Sequence, residues 1–550
     1  MRYNSILKEF NPNTFLTDYL QAKGIQGGEI EEFLHPDEKV LDNPFDYKNM
    51  DKAVEELSVL KQKNDMWGTK KIGVLIDCDV DGIMSASIIS DFVLKLGIKP
   101  ENLYLYAHNE KAHGLGAEGD SLCEKMIQDE LDLVFTPDSS SNDIGELKFL
   151  TEQSISVIVL DHHEVETESS WGIIVNHHLS EGLNKSLSGA GVTDKFVRAF
   201  CEKEQLEYPG YEDFVAISLV SDVCNLRVLE NRWYIEKGLK NIKHPALKMI
   251  VDKFCRYGVS PKGLSFGCIP PMNALTRLSG TLETIELVKA IIGIGDMEQA
   301  LKMLSRAHRT QKKTVKDMTD ELQPNMDNTH KVAVGFADDE NRNYIGLVAN
   351  KIRYHLNKPT FVLRDTGASY TGSLRSPIDL LDILNESGLA ICQGHQRACG
   401  ITFKKENYDQ VIDLMDSMDL DVDPPVDVAA KVKLSDLDID VAQLIEDNDL
   451  LWGEGVELPT FYTEVKLNKD DVHVYKKRAT FIRITGGDVV MTLPFASTLD
   501  KMKLTEYSEF TLQAVVELEV NEYNGYVNPQ CKIIQYEVVP VETKEFENLW

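Results

Sequence analysis

Short apolar segments rich in valine and isoleucine alternate with amphipathic segments in the first third of the chain. The apolar segments predict strands at 72–76, 102–108, 131–137 and 154–163, and the intervening ones predict helices at 85–96, 121–127 and 144–151. This alternation predicts an α/β fold with a doubly wound parallel sheet. Because ligands of such sheets bind beyond the carboxyl ends of the strands, those ends are the first place to look for a site.

The remaining sequence predicts further units. A helical region ends in a basic stretch, a second and smaller α/β pattern begins near residue 330, an acidic segment contains Pro424 and Pro425, and short strands follow to the end. Five or so strands in about 90 residues fit a small OB-like β-barrel. The predicted units are a helical lead-in (1–67), the first α/β domain (68–300), a basic connector helix (301–328), the second α/β domain (329–423), an acidic connector (424–454) and the barrel (455–550).

Composition excludes several classes of protein. The 550 residues include 58 Lys and Arg against 89 Asp and Glu, a net charge of −31, which argues against a chain that coats itself in nucleic acid. A nucleic-acid enzyme with its basic groups in one channel remains compatible. No apolar run is long enough to span a membrane, and the N-terminus lacks a secretory signal. The nine cysteines are scattered, which indicates a reducing compartment, and we expect a cytoplasmic protein.

Carboxylates and imidazoles cluster at four positions that we interpret as strand ends. These positions are Asp77-Cys-Asp79-Val-Asp81-Gly82, then Asp138, then Asp161-His162-His163, and finally Asp222. Each cluster alone has a common structural explanation, such as a surface turn, a helix N-cap or a buried histidine pair. Four of them in register instead predict a metal site. Mixed oxygen and nitrogen ligands suit Mn²⁺, Mg²⁺, Zn²⁺ or Fe rather than Ca²⁺, and two such cations suit phosphodiester hydrolysis.

These segments resemble the DHH phosphoesterase superfamily and, within it, the RecJ single-strand-specific exonucleases. IDCDVDG, TPDSSSND, VIVLDHH and SLVSDV are similar to the four DHH motifs, and PPMNALTRLSG is similar to a RecJ segment. TGSLRSP and CQGHQRACGITF resemble the associated DHHA1 subdomain, and LLWGEGVELPTFYTEV resembles the RecJ oligonucleotide-binding barrel. The resemblance runs nearly end to end and implies a DHH lobe, a DHHA1-like lobe joined to it by a long helix, and a terminal OB-like barrel.

The resemblance also implies roles for individual residues. The metal ligands would be Asp77, Asp79, Asp81, Asp138, His162 and Asp222, holding two divalent cations, Mn²⁺ first and Mg²⁺ second. The catalytic groups would be Asp161, His163, Arg375 and His395. The phosphate contacts would be Arg277, Ser373, Arg375, Gly394 and His395.

The chain departs from the family pattern at two places. The usual Gly-Gly-His is Gln393-Gly394-His395, and Glu110 stands near the place of a basic residue that contacts the 5′ end. Lys111 and His113 are the nearby candidates for that contact. The short tail and the acidity fit a shorter, phage-encoded relative, in which case the compartment would be the host cytoplasm.

Two basic stretches are candidates for the path of a nucleic acid. Lys302, Arg306, Arg309 and Lys313 share one face of the connector helix, which is either a solvated face or a wall along the phosphates. In the barrel, Lys476, Lys477 and Arg478 stand beside Tyr475 and Phe481, a mixture that suits backbone attraction and base stacking, although barrel aromatics are often core residues.

The function predicted from these features is a metal-dependent 5′→3′ exonuclease that degrades single-stranded DNA to mononucleotides in recombination, repair or replication. A phosphodiesterase acting on short oligonucleotides or cyclic dinucleotides, and a catalytically silent replication scaffold, are the alternatives. Single-stranded DNA is the expected partner of a monomeric chain without membrane association. A single-strand-binding protein or a helicase is the candidate protein partner.

Overall fold

The computed structural model describes most of the chain. It covers residues 1–108, 112–116, 122–256, 258–278, 281–418, 425–475, 481–486, 489–494, 496–523 and 525–541. Glu110, Lys111, Lys476, Lys477 and Arg478 lie outside the described residues, so their predicted contacts stay predictions.

The N-terminal segment divides between two hydrophobic cores. It contains β1 (Tyr3–Ser5), α1 (Phe15–Ala22), α2 (Ile30–Leu34) and α3 (Met50–Trp67). Phe15 and Tyr19 of α1 are buried in the core of the C-terminal sheet, whereas Met50 and Leu57 of α3 are buried in the core of the first α/β unit. The predicted lead-in therefore has no core of its own.

The first α/β unit is built on a five-stranded parallel sheet. Its elements are β2 (Ile72–Ile76), α4 (Val80–Lys95), β3 (Leu103–Ala107), α5 (Leu122–Gln128), β4 (Leu133–Pro137), α6 (Ile144–Glu152), β5 (Ser156–Asp161) and β6 (Ile173–Asn176). The strand order is β3-β2-β4-β5-β6, and every neighbouring pair is parallel. The predicted α/β fold with a parallel sheet is confirmed. The order reverses between β2 and β4, and such a switch point opens a crevice at the carboxyl ends of the strands.

Both faces of this sheet are covered, which explains why its strands read as continuous apolar runs. Val74, Phe135 and Leu160 face a large core shared with α3 and α4. Val134 and Val159 face a second core that contains Met126 of α5 and other residues. The strands themselves carry mainly apolar side chains, so the polar side chains that can meet are those just after each strand, at the carboxyl edge of the sheet.

A helical layer joins the first unit to the second. It comprises α7 (Gly189–Glu204), α8 (Glu212–Ser221), α9 (Leu229–Leu239), α10 (Pro245–Phe254), α11 (Pro261–Phe266), α12 (Ile269–Leu278), α13 (Thr281–Ile291) and α14 (Met297–Leu322). Helix α14 contains the predicted basic stripe. The sequence predicts Asp222 at the end of a strand, but in the structure it follows helix α8. The prediction was wrong because the buried segment AISLVS is uniformly apolar and shows no helical periodicity.

The second α/β unit is a five-stranded mixed sheet. Its elements are β7 (Ala333–Phe336), α15 (Ile345–Leu356), β8 (Thr360–Asp365), β9 (Ser369–Arg375), α16 (Leu381–Glu386), β10 (Ile391–His395), β11 (Ala398–Lys404) and α17 (Tyr408–Ser417). The order is β10-β11-β9-β8-β7, with only the β7–β8 pair parallel.

The C-terminal unit is a seven-stranded sheet. Its elements are β12 (Val426–Val428), β13 (Ala430–Lys431), α18 (Ile439–Asp447), β14 (Thr460–Asn468), β15 (Val472–Val474), β16 (Phe481–Gly486), β17 (Val489–Pro494), α19 (Thr498–Thr505), β18 (Glu509–Tyr523) and β19 (Tyr526–Pro540). The order is β13-β14-β18-β19-β17-β16-β15, and β12 pairs separately with β1. Val441 and Ala442 of α18 are buried in the core of this sheet, so part of the acidic segment packs against the unit that follows it.

Membrane-crossing helices are not found in the described ranges, since no helix there is both long and apolar enough.

Candidate metal and phosphate site

The acidic residues after β2 are held by the turn into helix α4. Asp79 is the N-cap of α4 and accepts a hydrogen bond from the Gly82 N–H at 3.1 Å. A Cβ on Gly82 would lie 2.6 Å from the Cβ of Asp77, so only glycine allows this close approach. The turn therefore places Asp77, Asp79 and Asp81 together at the switch point of the sheet.

Asp81 is fixed by a full set of donors. Its carboxylate accepts hydrogen bonds from the N–H groups of Gly189 and Ala190, both at 2.8 Å, and from the hydroxyls of Ser218 at 2.6 Å and Ser85 at 3.1 Å. The two N–H groups open helix α7, where the helix dipole also favours a negative charge. This arrangement locks the Asp81 side chain before any ligand binds.

Asp138 differs from Asp81 because one of its oxygens has no hydrogen-bond partner. The residue follows β4 in a left-handed conformation with φ of 63°, and only 2% of its surface is exposed. Oδ1 lies 3.1 Å from His162 Nε2, but without the geometry of a hydrogen bond. A Cβ on Gly189 would lie 2.5 Å from this oxygen, so glycine is required beside it. Buried unpaired carboxylate oxygens are costly, and a bound ion is one of the partners that can satisfy them.

The predicted ligands form three overlapping groups. In each group the candidate ligand atoms lie within 4.8 Å of one another, and the groups are Asp77–Asp79–Asp138, Asp138–His162–His163 and Asp81–His162–Asp222. Asp138 and His162 each belong to two groups. All six predicted ligands therefore lie in one cluster.

Burial and mutual repulsion raise the pKa values of several of these carboxyl groups. Burial first, and then the charges of Asp81 and Asp79, raise the pKa of Asp138 well above its usual range. Burial and the neighbouring Asp81 raise the pKa of Asp222 to about 6. A bound cation would relieve this repulsion, so the donor set, the burial and the orphaned oxygen all fit a divalent metal.

Asp161 and His163 lie beside the cluster in a different arrangement. Asp161 accepts hydrogen bonds from the backbone N–H groups of His162, His163 and Ser141, and His163 Nδ1 donates to it at 2.8 Å. The hydrogen bond to Asp161 raises the pKa of His163 to about 9. Burial opposes the charge of Asp161, but these donors hold its pKa below the usual range. Asp161 thus orients His163, half of whose side chain is exposed.

Arg277 of the first unit lies near the acidic cluster, and Arg375 of the second α/β unit lies near Arg277. Burial lowers the pKa of Arg277 on α12, which is close enough to Cys78 and Asp79 to feel their charges. Burial lowers the pKa of Arg375 on β9, and the neighbouring Arg277 lowers it further. Within the described part of the chain, Arg375 donates to the backbone carbonyls of Leu374 and Cys399, and neither guanidinium forms an ion pair with a carboxylate. Two neighbouring guanidinium groups without carboxylate partners can together bind an anion.

Ser373 and the start of α15 lie beside Arg375. A Cβ on Gly346 would lie 2.7 Å from Arg375 Nη2 and 3.3 Å from Ser373 Oγ, so Gly346 lets the helix approach both. The N–H groups at a helix N-terminus add donors to an anion site. Asn343 donates to the Arg277 carbonyl at 3.1 Å and links the two units at this point.

His395 shares a face of the second sheet with Arg375. His395 pairs with Ala398, which pairs with Arg375, so the two side chains lie two strand spacings apart, roughly 10 Å. Gly394 has φ of 128°, in a region that favours glycine. His395 is exposed, and only small residues stand between it and Arg375.

Sequence reasoning missed several contributors to this site. The Gly189 and Ala190 N–H groups and the Ser218 hydroxyl were not identified as partners of Asp81, although Ser188-Gly-Ala-Gly is a recognisable helix start. The sequence suggests His113 only as a contact for the 5′ end, yet its Nδ1 donates to Asp77 at 2.6 Å.

The stretch from residue 71 to residue 218 matches the family model described as DHH family, N-terminal domain. The match includes five of the six clustered ligands and ends four residues before Asp222.

The similarity to known proteins extends beyond this domain. A Bacillus subtilis (strain 168) protein, named as an SPbeta prophage-derived single-strand DNA-specific exonuclease, YorK, is 28% identical across 96% of this chain and 97% of that protein. The single-stranded-DNA-specific exonuclease RecJ of Thermus thermophilus is 26% identical over 60% of this chain and 49% of that protein. A crystal structure of RecJ from the same organism, in complex with Mn²⁺, matches with a TM-score of 0.71 and 21% identity, covering 92% of this chain and 74% of that one. The chain therefore shares the fold of that RecJ structure.

Proposed function

We propose that this DHH-domain chain is a divalent-cation-dependent exonuclease that degrades single-stranded DNA. The observation that carries the proposal is the position of Arg277, a cation without a carboxylate partner beside the buried carboxylate and imidazole cluster, with Arg375 of the second α/β unit next to it. This arrangement suits a phosphodiester whose phosphate is held between metal ligands and guanidinium groups. The names of the relatives support single-stranded DNA as the substrate.

In this proposal some residues hold the cations and others bind the phosphate. Asp79, Asp81, Asp138, His162 and Asp222 would hold two cations, Mn²⁺ or Mg²⁺, with Asp77 beside them. When bound, such cations lower the pKa of water and neutralise phosphate charge. Arg375 and Arg277 bind the phosphate oxygens as a fork and orient the bond for cleavage. Ser373 and the first N–H groups of α15 add neutral donors, and His395 lies along the same face for a neighbouring phosphate.

His163 is placed to handle a proton beside the phosphate. Asp161 accepts from its Nδ1, which leaves Nε2 as the atom that donates or accepts on the exposed side. This carboxylate–imidazole pair fixes the ring before substrate binds, so the proton is available without side-chain rearrangement.

The remaining features belong to the same proposal. The seven-stranded C-terminal sheet would act as an OB-like barrel that binds the single strand remote from the cluster. Degradation would run 5′→3′ and release mononucleotides, in recombination, repair or replication. The enzyme would act as a monomer in the cytoplasm. A single-strand-binding protein or a helicase would supply its substrate.

Product analysis on end-labelled strands tests the proposal. With Mn²⁺ or Mg²⁺, a 5′-labelled single strand should release labelled mononucleotide from the first turnover, whereas a 3′-labelled strand should shorten progressively. A blunt duplex of the same sequence and a chelator-treated reaction are the controls, and both should remain intact. Release of a 3′-labelled mononucleotide first would contradict the polarity. Activity on dinucleotides but not on long strands would favour the small-substrate phosphodiesterase.

The basic face of α14 gives a separate prediction about strand binding. Lys302, Arg306, Arg309 and Lys313 are exposed, in line with the predicted stripe. If this face follows the phosphates, replacing all four with Gln should make the slope of log affinity against log salt shallower by up to about 2.8, since each single-strand contact contributes roughly 0.7.

A charge-matched variant controls for the change in net charge. It replaces four exposed lysines on or beside α9 and α10 with Gln: Lys237, Lys240, Lys248 and Lys253. Its salt slope should equal that of the unaltered chain. An equal slope in the α14 variant as well would show that the stripe is a solvated helix face.

A further inference from the structure

A cysteine, a histidine and an aspartate form a compact group beside the carboxylate cluster. Cys78 Sγ lies 3.4 Å from His113 Nε2 and 3.7 Å from His113 Nδ1. His113 Nδ1 lies 2.6 Å from Asp77 Oδ2. The candidate ligand atoms of these three residues are all within 4.8 Å of one another.

The sheet topology brings these residues together. Asp77 and Cys78 follow β2, and His113 lies in the segment that follows β3, the neighbouring parallel strand. The Gly114 N–H donates to Asp77 Oδ1 at 3.3 Å and fixes the described part of that segment to the turn after β2. The contact therefore joins two segments at the carboxyl edge of the sheet.

The carboxylate, thiol and imidazole of these three residues are the kinds of side chain that bind zinc in proteins. Zn²⁺ binds thiolate sulfur at about 2.3 Å and imidazole nitrogen at about 2.0–2.1 Å, so tetrahedral geometry separates the two ligand atoms by roughly 3.5 Å. Cys78 Sγ lies 3.4 Å from Nε2 and 3.7 Å from Nδ1, so the spacing suits a shared cation and the His113 ring would rotate to direct Nε2 at it. The His113 side chain is half exposed, which leaves a solvent-facing position for a fourth ligand.

We propose that Asp77, Cys78 and His113 form a separate site for a soft divalent cation of the Zn²⁺ class. Thiolate favours such cations over Mn²⁺ and Mg²⁺, which prefer oxygen ligands. The site is therefore chemically distinct from the cluster of Asp79, Asp81, Asp138, His162 and Asp222.

Asp77 couples this site to that cluster. Its carboxylate also belongs to the group that contains Asp79 and Asp138. A cation held by Cys78 and His113 would draw the Asp77 carboxylate towards itself and away from the hydrolytic cluster. Zn²⁺ should therefore inhibit Mn²⁺-dependent hydrolysis, a consequence that rests on the proposed function.

Titration of the full-length, metal-free chain with Co²⁺ tests the site itself. Cobalt bound to a thiolate has a near-ultraviolet charge-transfer band that oxygen and nitrogen ligands do not produce. We expect the band to appear, to saturate, and to disappear when Zn²⁺ displaces the cobalt. Cys78→Ser and His113→Gln should each abolish it, and the half-exposed position of His113 makes its replacement the gentler one for folding.

Cys224→Ser is the matched control. Cys224 is also a buried thiol beside a predicted metal ligand, with Sγ 3.7 Å from Asp222 Oδ2. The band should persist in this variant. A chain without the band, or a band lost in Cys224→Ser and kept in Cys78→Ser, would overturn the proposed site.

Hydrolysis assays separate this inference from the proposed exonuclease function. With Mn²⁺ present, the Zn²⁺ concentration for half-inhibition should rise at least about tenfold in Cys78→Ser, because even outer partners of a metal contribute 10- to 100-fold to its affinity. A cobalt–thiolate band in a chain that does not cleave DNA would leave the site and refute the exonuclease. Mn²⁺-dependent cleavage by a chain without the cobalt–thiolate band would support the exonuclease function and refute the Cys78–His113 site.

Discussion

Replacing Asp138 with Asn is expected to abolish hydrolysis while making the metal-free protein more stable. Asp138 Oδ1 is buried without a hydrogen-bond partner and lies among other carboxylates, so in the absence of cations its charge destabilises the fold. Asparagine has nearly the same shape, lacks the charge, and can donate to a neighbouring carboxylate. Cations contribute several kcal/mol to phosphodiester cleavage, so the loss in rate should be at least about 10³-fold.

Thermal unfolding with and without Mn²⁺ measures the second half of this prediction. A ligand at a hundred times its dissociation constant stabilises a protein by about 2.7 kcal/mol, so Mn²⁺ should raise the melting temperature of the unaltered chain. Asp138→Asn should melt higher than that chain in chelator and should lose most of the increase on adding Mn²⁺. Single-strand binding in chelator should persist, because the arginines and basic faces are unaffected.

Asp132→Asn is the matched control for this substitution. Asp132 also lies at the first parallel sheet, but it pairs with Lys70 at 2.6 Å and accepts from the Lys71 N–H at 2.9 Å, away from the cluster. Its replacement should lower stability and leave the Mn²⁺ effect intact. A full Mn²⁺ shift in Asp138→Asn would remove Asp138 from the ligand set.

The parallel sheet and its ligand-bearing edge could be predicted because the information is local. Strand β2 was predicted at its observed bounds, since a strand buried on both faces shows a continuous apolar run. Once the strands are known to be parallel, Asp77 and Asp138 must lie near each other. Helix α4 begins five residues earlier than its apolar pattern, because Asp79 caps it and the acidic residues interrupt the periodicity.

The features that escaped prediction depend on contacts distant in sequence. Phe15 and Phe461 pack with ring centroids 5.4 Å apart, and no local pattern indicates that the N-terminus completes the core of the C-terminal sheet. The proximity of Arg277 and Arg375 likewise depends on how the two α/β units pack. The position of Asp222 could not be predicted either, because the uniformly apolar segment before it fits a buried helix as well as a buried strand.

Replacing Arg375 with Gln should lower kcat/KM on single-stranded DNA by about 10²- to 10³-fold, the usual effect of removing one preorganised donor from a developing negative charge. The Arg375 Nη1 donates to the Leu374 carbonyl at 2.7 Å and the Cys399 carbonyl at 3.4 Å, so its guanidinium is held in place from the protein side. The rest of the group is left for phosphate. Arg375→Lys should recover only part of the rate, because an ammonium cannot reproduce the planar fork.

Arg397→Gln is the control for a nearby arginine without this role. Arg397 is exposed and pairs with Asp379 at 2.6 Å, and exposed pairs contribute little to stability. Its variant should cleave DNA at the normal rate. Arg277→Gln should resemble Arg375→Gln, and the double variant should lose less than the product of the two single effects, because both groups bind the same phosphate and their contributions are not independent. Losses that multiply would instead place the two arginines on separate phosphates, and an unchanged kcat/KM in Arg375→Gln would remove the second α/β unit from the catalytic site.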